Sequence, residues 1–206
     1  MYARSNTARG DPRRTDDAIA YIRDEVLPAV RRMDGNIGLS MLCDRDSGRS
    51  IVTSAWESEE AMRASAEQVR PMRERYTEMM GAQVEVHEWE IAVLHRVHEA
   101  PEGACTRVTW TRIDPARVDE VLDAYKMTLL PRLEQMGDFC SASLLVDRRE
   151  GLGAGAVTLA DRQALVDSRP AADANRTEFT RAMGIDVLEV AEFELAVAHL
   201  RVPETV

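Results

Sequence analysis

The chain has few of the residues that mark a metal site, a membrane segment or a nucleic-acid surface. Its three cysteines, Cys43, Cys105 and Cys140, show no C-x-x-C spacing, and an odd, scattered set implies neither a disulfide framework nor a zinc site. Its four histidines stand at 87, 95, 98 and 199. His95 and His98 are three apart in a strand pattern, which puts them on opposite faces, so no metal pair is expected. His87, on the same strand, has no partner histidine in the other half and reads as a surface or domain-interface residue. Lys126 is the only lysine, and the net charge is −10 without a basic run. Nucleic acid and anionic membranes both require a positive footprint, so neither is an expected partner. No apolar run reaches 18 residues, and the opening MYARSNTARGDPRR has no apolar segment of a leader. The expectation is a soluble, cytoplasmic protein with free, inert thiols.

What the chain does have is a repeat. Residues 2–81 align without a gap on 105–184 at an offset of 103, with 20 identities in the 80 pairs. They fall where backbone geometry is demanding: Asp11-Pro12 on Asp114-Pro115, Leu27-Pro28 on Leu130-Pro131, Gly48 on Gly151, Met80-Gly81 on Met183-Gly184. One inserted residue then shifts the offset to 104, and Glu88 to Val93 falls on Glu192 to Val197. A period of about 100 residues is too long for a solenoid unit and suits a small domain. The expected organisation is a domain over 1–98, a linker over 99–104 and a second domain over 105–206.

Each half reads as βαββαβ. An alternating segment, clearest at Thr106 to Thr111, opens it. Asp-Pro then starts a helix, Asp accepting from free N–H groups and Pro fitting the first position. Ile19, Ile22, Val26, Val30 and Met33 form its apolar face in the first half, and Val118, Leu122, Tyr125, Leu129, Leu133 and Met136 in the second. Pro28 and Pro131 should kink both helices at one place. A strand over Ile37 to Cys43, matched by Cys140 to Val146, leads through a turn to a strand over Ile51 to Trp56. Ser58 caps a second helix running to Met80, with breaks expected at Pro71 and Pro170. Gly81 and Gly184 stop these helices. Long strands, Val84 to Val97 and Val187 to Val202, end the halves, and the extra residue in the second predicts a β-bulge. Gly151-Leu152-Gly153-Ala154-Gly155 leads from a turn into a strand, so it is not a phosphate loop; its small residues widen a pocket or allow close packing.

The fold class is therefore α+β: two tandem ferredoxin-like domains whose antiparallel sheets face each other as a pseudo-twofold barrel, an intramolecular pseudo-dimer. The long last strands offer an edge to a second chain, which would make a homodimer.

With the Leu-Pro helix, the Met-Gly turn and the step Ala55-Trp56-Glu57-Ser58-Glu59-Glu60-Ala61-Met62, this arrangement resembles the antibiotic biosynthesis monooxygenase domain of the dimeric α/β-barrel superfamily, over nearly the whole chain. The resemblance implies a menu: cofactor-free oxygenases of polycyclic phenols, haem-degrading oxygenases, cyclases, isomerases and proteins without activity. A shared fold does not choose among them. The haem-degrading members pair an Asn on the first strand with a Trp and a His on the second helix. Asn6 matches the first, but the helix positions hold Ser65 and Arg75, and neither second helix contains a histidine. Haem is thus not expected.

The leading reading is a cofactor-independent oxygenase of a small aromatic or polyketide-like molecule. In that reading Asn6 and Arg4 are the catalytic donors, with Trp56 and Tyr76 as walls in the first half. Arg107, Trp110 and Phe179 contact substrate in the second. The polar set is better kept in the first half, which makes it the favoured site. No cofactor or metal is expected. The alternative is a non-catalytic ligand-binding or interaction protein on the same barrel; a cyclase or isomerase would need an acid–base pair that the sequence does not display.

Overall fold

The computed structural model describes residues 1–200 and 203–205. The chain is α+β, and the order βαββαβ occurs in each half. Strand β1 (Tyr2–Arg9) precedes a one-turn 3-10 segment, Pro12–Arg14, which Asp11 caps by accepting from the Arg13 N–H. Helix α1 (Thr15–Tyr21), a π-helical turn (Ile22–Val26) and α2 (Leu27–Val30) follow as one continuous helical run. Strands β2 (Asn36–Asp44) and β3 (Arg49–Trp56) form a hairpin; then come α3 (Glu59–Ala64), α4 (Ala66–Met80) and β4 (Gln83–Arg96). The second half runs β5 (Cys105–Arg112), α5 (Val118–Ala124), a π turn (Tyr125–Leu129), α6 (Leu130–Glu134), β6 (Phe139–Asp147), β7 (Leu152–Leu159), α7 (Arg162–Asp167), α8 (Arg169–Met183) and β8 (Asp186–Leu200).

The hydrogen-bonded strand order is β1-β3-β2-β8-β5-β7-β6-β4 and it closes as a barrel. In that order β4 and β8 each have a neighbour on both sides, so the last strands do not form the free edge expected of them. By compactness the chain divides into one unit of Met1–Trp89 with Leu195–Val202 and another of Glu90–Glu194 with Pro203–Val206. Each has its own apolar core. Trp56, Met41 and Leu39 anchor the first; Leu159, Leu165 and Val146 anchor the second. Each fully buried side chain of this size contributes roughly 1.5–3 kcal/mol.

Several expectations hold in detail. Gly81 and Gly184 are left-handed caps at φ 59° and 65°. The inserted residue is Leu188: Trp110 pairs with Glu189 and Thr111 with Val187, so Leu188 bulges out of β8. The strand expected to reach Val202 is described to Leu200, and residues 201 and 202 lie outside the described residues.

At the prolines each first helix widens into a π turn just ahead of Pro28 and Pro131. A proline offers no N–H to the preceding turn, and one π turn absorbs that mismatch. One expectation requires correction. The second helix of the first half breaks at Ser65, and Pro71 sits inside α4. In the second half the break is at Ser168, with Pro170 in the first turn of α8, where its missing N–H costs nothing.

Candidate functional site

Tertiary contacts explain the shared break. Arg4 is 4% exposed. Its Nη1 donates to Ser65 Oγ at 3.0 Å and its Nη2 to the Met62 carbonyl at 2.7 Å. Nε and Nη2 both reach Glu88 Oε1, at 3.0 and 2.8 Å. Arg107 repeats the pattern with Ser168, the Leu165 carbonyl and Glu192. There Arg169 adds a second guanidinium on Glu192, whose carboxyl is held below its usual range by the Arg169 hydrogen bond first and Arg107 after it. Each arginine pins the serine break of the second helix to the sheet. Of five guanidinium hydrogens, one on Nη1 is left for anything else.

Beside each arginine lies a cavity between the sheet and the helices of the same unit. In the first unit it is about 60 Å³, lined by Arg4, Asn6, Ile22, Val52, Met72 and Tyr76 among others. In the second it is about 100 Å³, and the matching positions hold Arg107, Thr109, Tyr125, Gly155, Asn175 and Phe179. The π turn of each first helix contributes to the wall through Ile22 and Val26, or Tyr125 and Leu129. Alternation along β1 sends Arg4 and Asn6 to the same face, which is why both meet this space. The lining is mostly apolar with a few polar groups, the usual make-up of a small-molecule site.

The polar groups of the two cavities differ in what they already bond. The Tyr76 hydroxyl is 2.6 Å from Ser50 Oγ, a buried pair. The Asn6 amide donates at 3.4 Å to the Val52 carbonyl, a long contact. In the second unit Tyr125 stands edge-on to Phe179 at 6.2 Å, and burial pushes its phenol above the ordinary value. Its hydroxyl makes no hydrogen bond among the described residues. Among the described residues, no cluster of three or more His, Cys, Asp or Glu side chains could hold a metal ion, and no helix is long and apolar enough to cross a membrane.

The sequence profile described as "Antibiotic biosynthesis monooxygenase" matches residues 1–69. An uncharacterized protein of Mycobacterium tuberculosis, Rv2557, is 48% identical over 206 residues, spanning 100% of this chain and 92% of its own length. The chain belongs to the antibiotic biosynthesis monooxygenase family. Among solved structures, a candidate monooxygenase of Lactobacillus acidophilus has a TM-score of 0.68 at 11% identity, covering 98% of this chain and 97% of its own. An anthrone oxidase-like protein has a TM-score of 0.66 at 17% identity, covering 97% and 93%. At such identities these likenesses bear on the fold.

Within this antibiotic biosynthesis monooxygenase scaffold, the residues singled out from sequence fall into two groups. Arg4, Asn6 and Tyr76 meet in the first cavity, and Arg107 and Phe179 in the second. Trp56 lines neither of these two cavities; it is 0% exposed in the first core, its Nε1 donating to Ser54 Oγ at 3.1 Å. Trp110 also lies outside the lining and packs edge-on to Phe193. The three cysteines are buried. Reading by residue type missed Tyr125, which counted as part of an apolar helix face, and Arg73 with Arg176, which line the two cavities at matching positions. A signal for the arginines was available: Arg73 and Arg176, like Ser65 and Ser168, are identical across the repeat.

Proposed function

We propose that this protein is a monooxygenase that oxygenates a small aromatic or polyketide-like substrate without metal, flavin or haem. The observation that carries the reading is the apolar, aromatic-walled cavity in each unit, with a few polar groups at matching places. Oxygen in its triplet ground state reacts poorly with closed-shell molecules, so the substrate must supply electrons as a phenolate or enolate. The protein's task is then to bind the molecule, exclude water and hold the anion.

For an anthrone-like methylene the balance is complete. The carbon loses a proton to water, its anion passes one electron to oxygen, and the radical pair combines as a peroxide anion that takes a proton back to become a hydroperoxide. That hydroperoxide loses water to leave a ketone. One oxygen atom ends in the product and the other in water. Asn6 and Thr109 are the assigned donors to the anion, and Tyr76 and Phe179 the walls.

The test is oxygen uptake by metal-free protein with a panel of anthrones and hydroquinones. Uptake above buffer is expected, falling about a hundredfold in the Asn6→Ala, Thr109→Ala double variant, the scale of losing a donor to a developing anion. Uptake equal to buffer across the panel would leave a ligand-binding protein on the same scaffold.

A further inference from the structure

We propose that the cavity of the second unit binds the hydroxylated ring of a phenol or hydroquinone, and that the Tyr125 hydroxyl donates the hydrogen bond that holds the ring's oxygen. The choice of ligand and of cavity rests on the monooxygenase reading; the donor is new to it.

Tyr125 is 95% buried, being 5% exposed, and lines the cavity. Its hydroxyl has no partner among the described residues. It is also not among the side-chain oxygens sealed away without one, so it opens to the cavity. A buried hydroxyl without a partner is costly, and native proteins rarely keep one unless water or a ligand meets it. The scaffold does not need it: the matching residue in the first half is Ile22, on the same π turn. Burial keeps the phenol protonated at neutral pH, so it serves as a donor and not as a base.

A second position points the same way. Gly155 faces Tyr125's cavity where the first half carries Val52. A Cβ built at 155 would come no closer than 3.8 Å to any neighbour, at Leu144 Cδ1. Gly155 also has no positive φ. Neither crowding nor backbone conformation demands glycine here, so what its missing side chain provides is space. Asn175 adds an amide with no partner among the described residues where the first half has Met72. Phe179 supplies an aromatic edge without claiming a hydroxyl of its own.

Size selects the ligand. A cavity of about 150 Å³ admits one benzene ring, and this one is about 100 Å³. One ring is the scale of this space, so the hydroxylated ring of a larger substrate is the part that enters it.

The experiment is a titration of the full chain with 4-nitrophenol, followed by the absorbance of its phenolate band at one fixed pH. Both replacements use the residue that the first half carries or a simple deletion: Gly155→Val fills the cavity, and Tyr125→Phe removes the hydroxyl alone. Wild type should bind, Gly155→Val should abolish saturable binding, and Tyr125→Phe should weaken it about tenfold or more with a shift of the bound band. No binding by wild type, or binding untouched in Tyr125→Phe, overturns the proposal. If Gly155→Val does not fold by circular dichroism, Tyr125→Phe decides, since it removes no packing. Binding that depends on Tyr125 without oxygen uptake would sink the monooxygenase reading and leave this site standing.

Discussion

The two cavities occupy the same place in two copies of one framework, yet their contents have diverged in a consistent direction. In the first, the hydroxyl of a tyrosine on the second helix is paired with that of Ser50, a valine fills the sheet wall, and the π turn carries Ile22. In the second, the tyrosine has moved to the π turn, the sheet wall is glycine, and the helix position is phenylalanine. The framework around them is unchanged: arginine, serine and carboxylate hold each broken helix to its sheet. Duplication lets one copy satisfy its polar groups internally while the other leaves them open to a ligand.

The strongest way to test the shared framework is to remove its arginines. Arg4→Leu and Arg107→Leu should each cost about 2 kcal/mol, the scale of leaving the buried serine and carbonyl partners of a guanidinium without their donor. Denaturant unfolding measures it. Similar losses would mark both as scaffold; a much smaller loss for one would mean that its guanidinium serves something else.

Smaller, but sharper for the comparison, are the two tyrosines. Tyr76→Phe should cost about 1 kcal/mol, because a buried bond is lost and Ser50 is left without its partner. Tyr125→Phe should be neutral or slightly stabilising, since the hydroxyl it deletes has no partner to lose. Equal costs at the two positions would contradict the assignment of the second hydroxyl to the cavity.

The smallest effect concerns acid. Glu192 is held below its usual value of 4.5 by Arg169 and then Arg107. A lowered carboxyl stabilises the fold above that value and loses its contribution as pH falls through the folded pKa. Glu192→Gln should therefore flatten the decline of stability below about pH 4.5, by well under the arginine effect because Arg169 is half-exposed. An unchanged acid limb in the variant would show that the pair contributes nothing to stability.

Much of this was legible in the chain. The 103-residue offset, the Asp-Pro caps, the glycine stops and the bulge at the inserted residue are local or periodic features, and local backbone rules read them directly. The family resemblance held as well. The helix break was misplaced because Pro71 is a strong local breaker, while the actual break at Ser65 is made by an arginine 61 residues away. Trp56 was assigned to a pocket wall by its type, but strand and helix packing enclose it completely.

By itself, the sequence determined the duplication, the order of elements and their ends, because propensity, caps and left-handed glycines act within a few residues. Only the tertiary structure decided which polar groups are already spent. Arg4 and Arg107 look alike to Tyr125 and Asn175 as candidate donors in a string of letters. They differ because hydrogen bonds across 58 to 85 positions consume all but one of each arginine's donors, and nothing among the described residues consumes the hydroxyl of Tyr125.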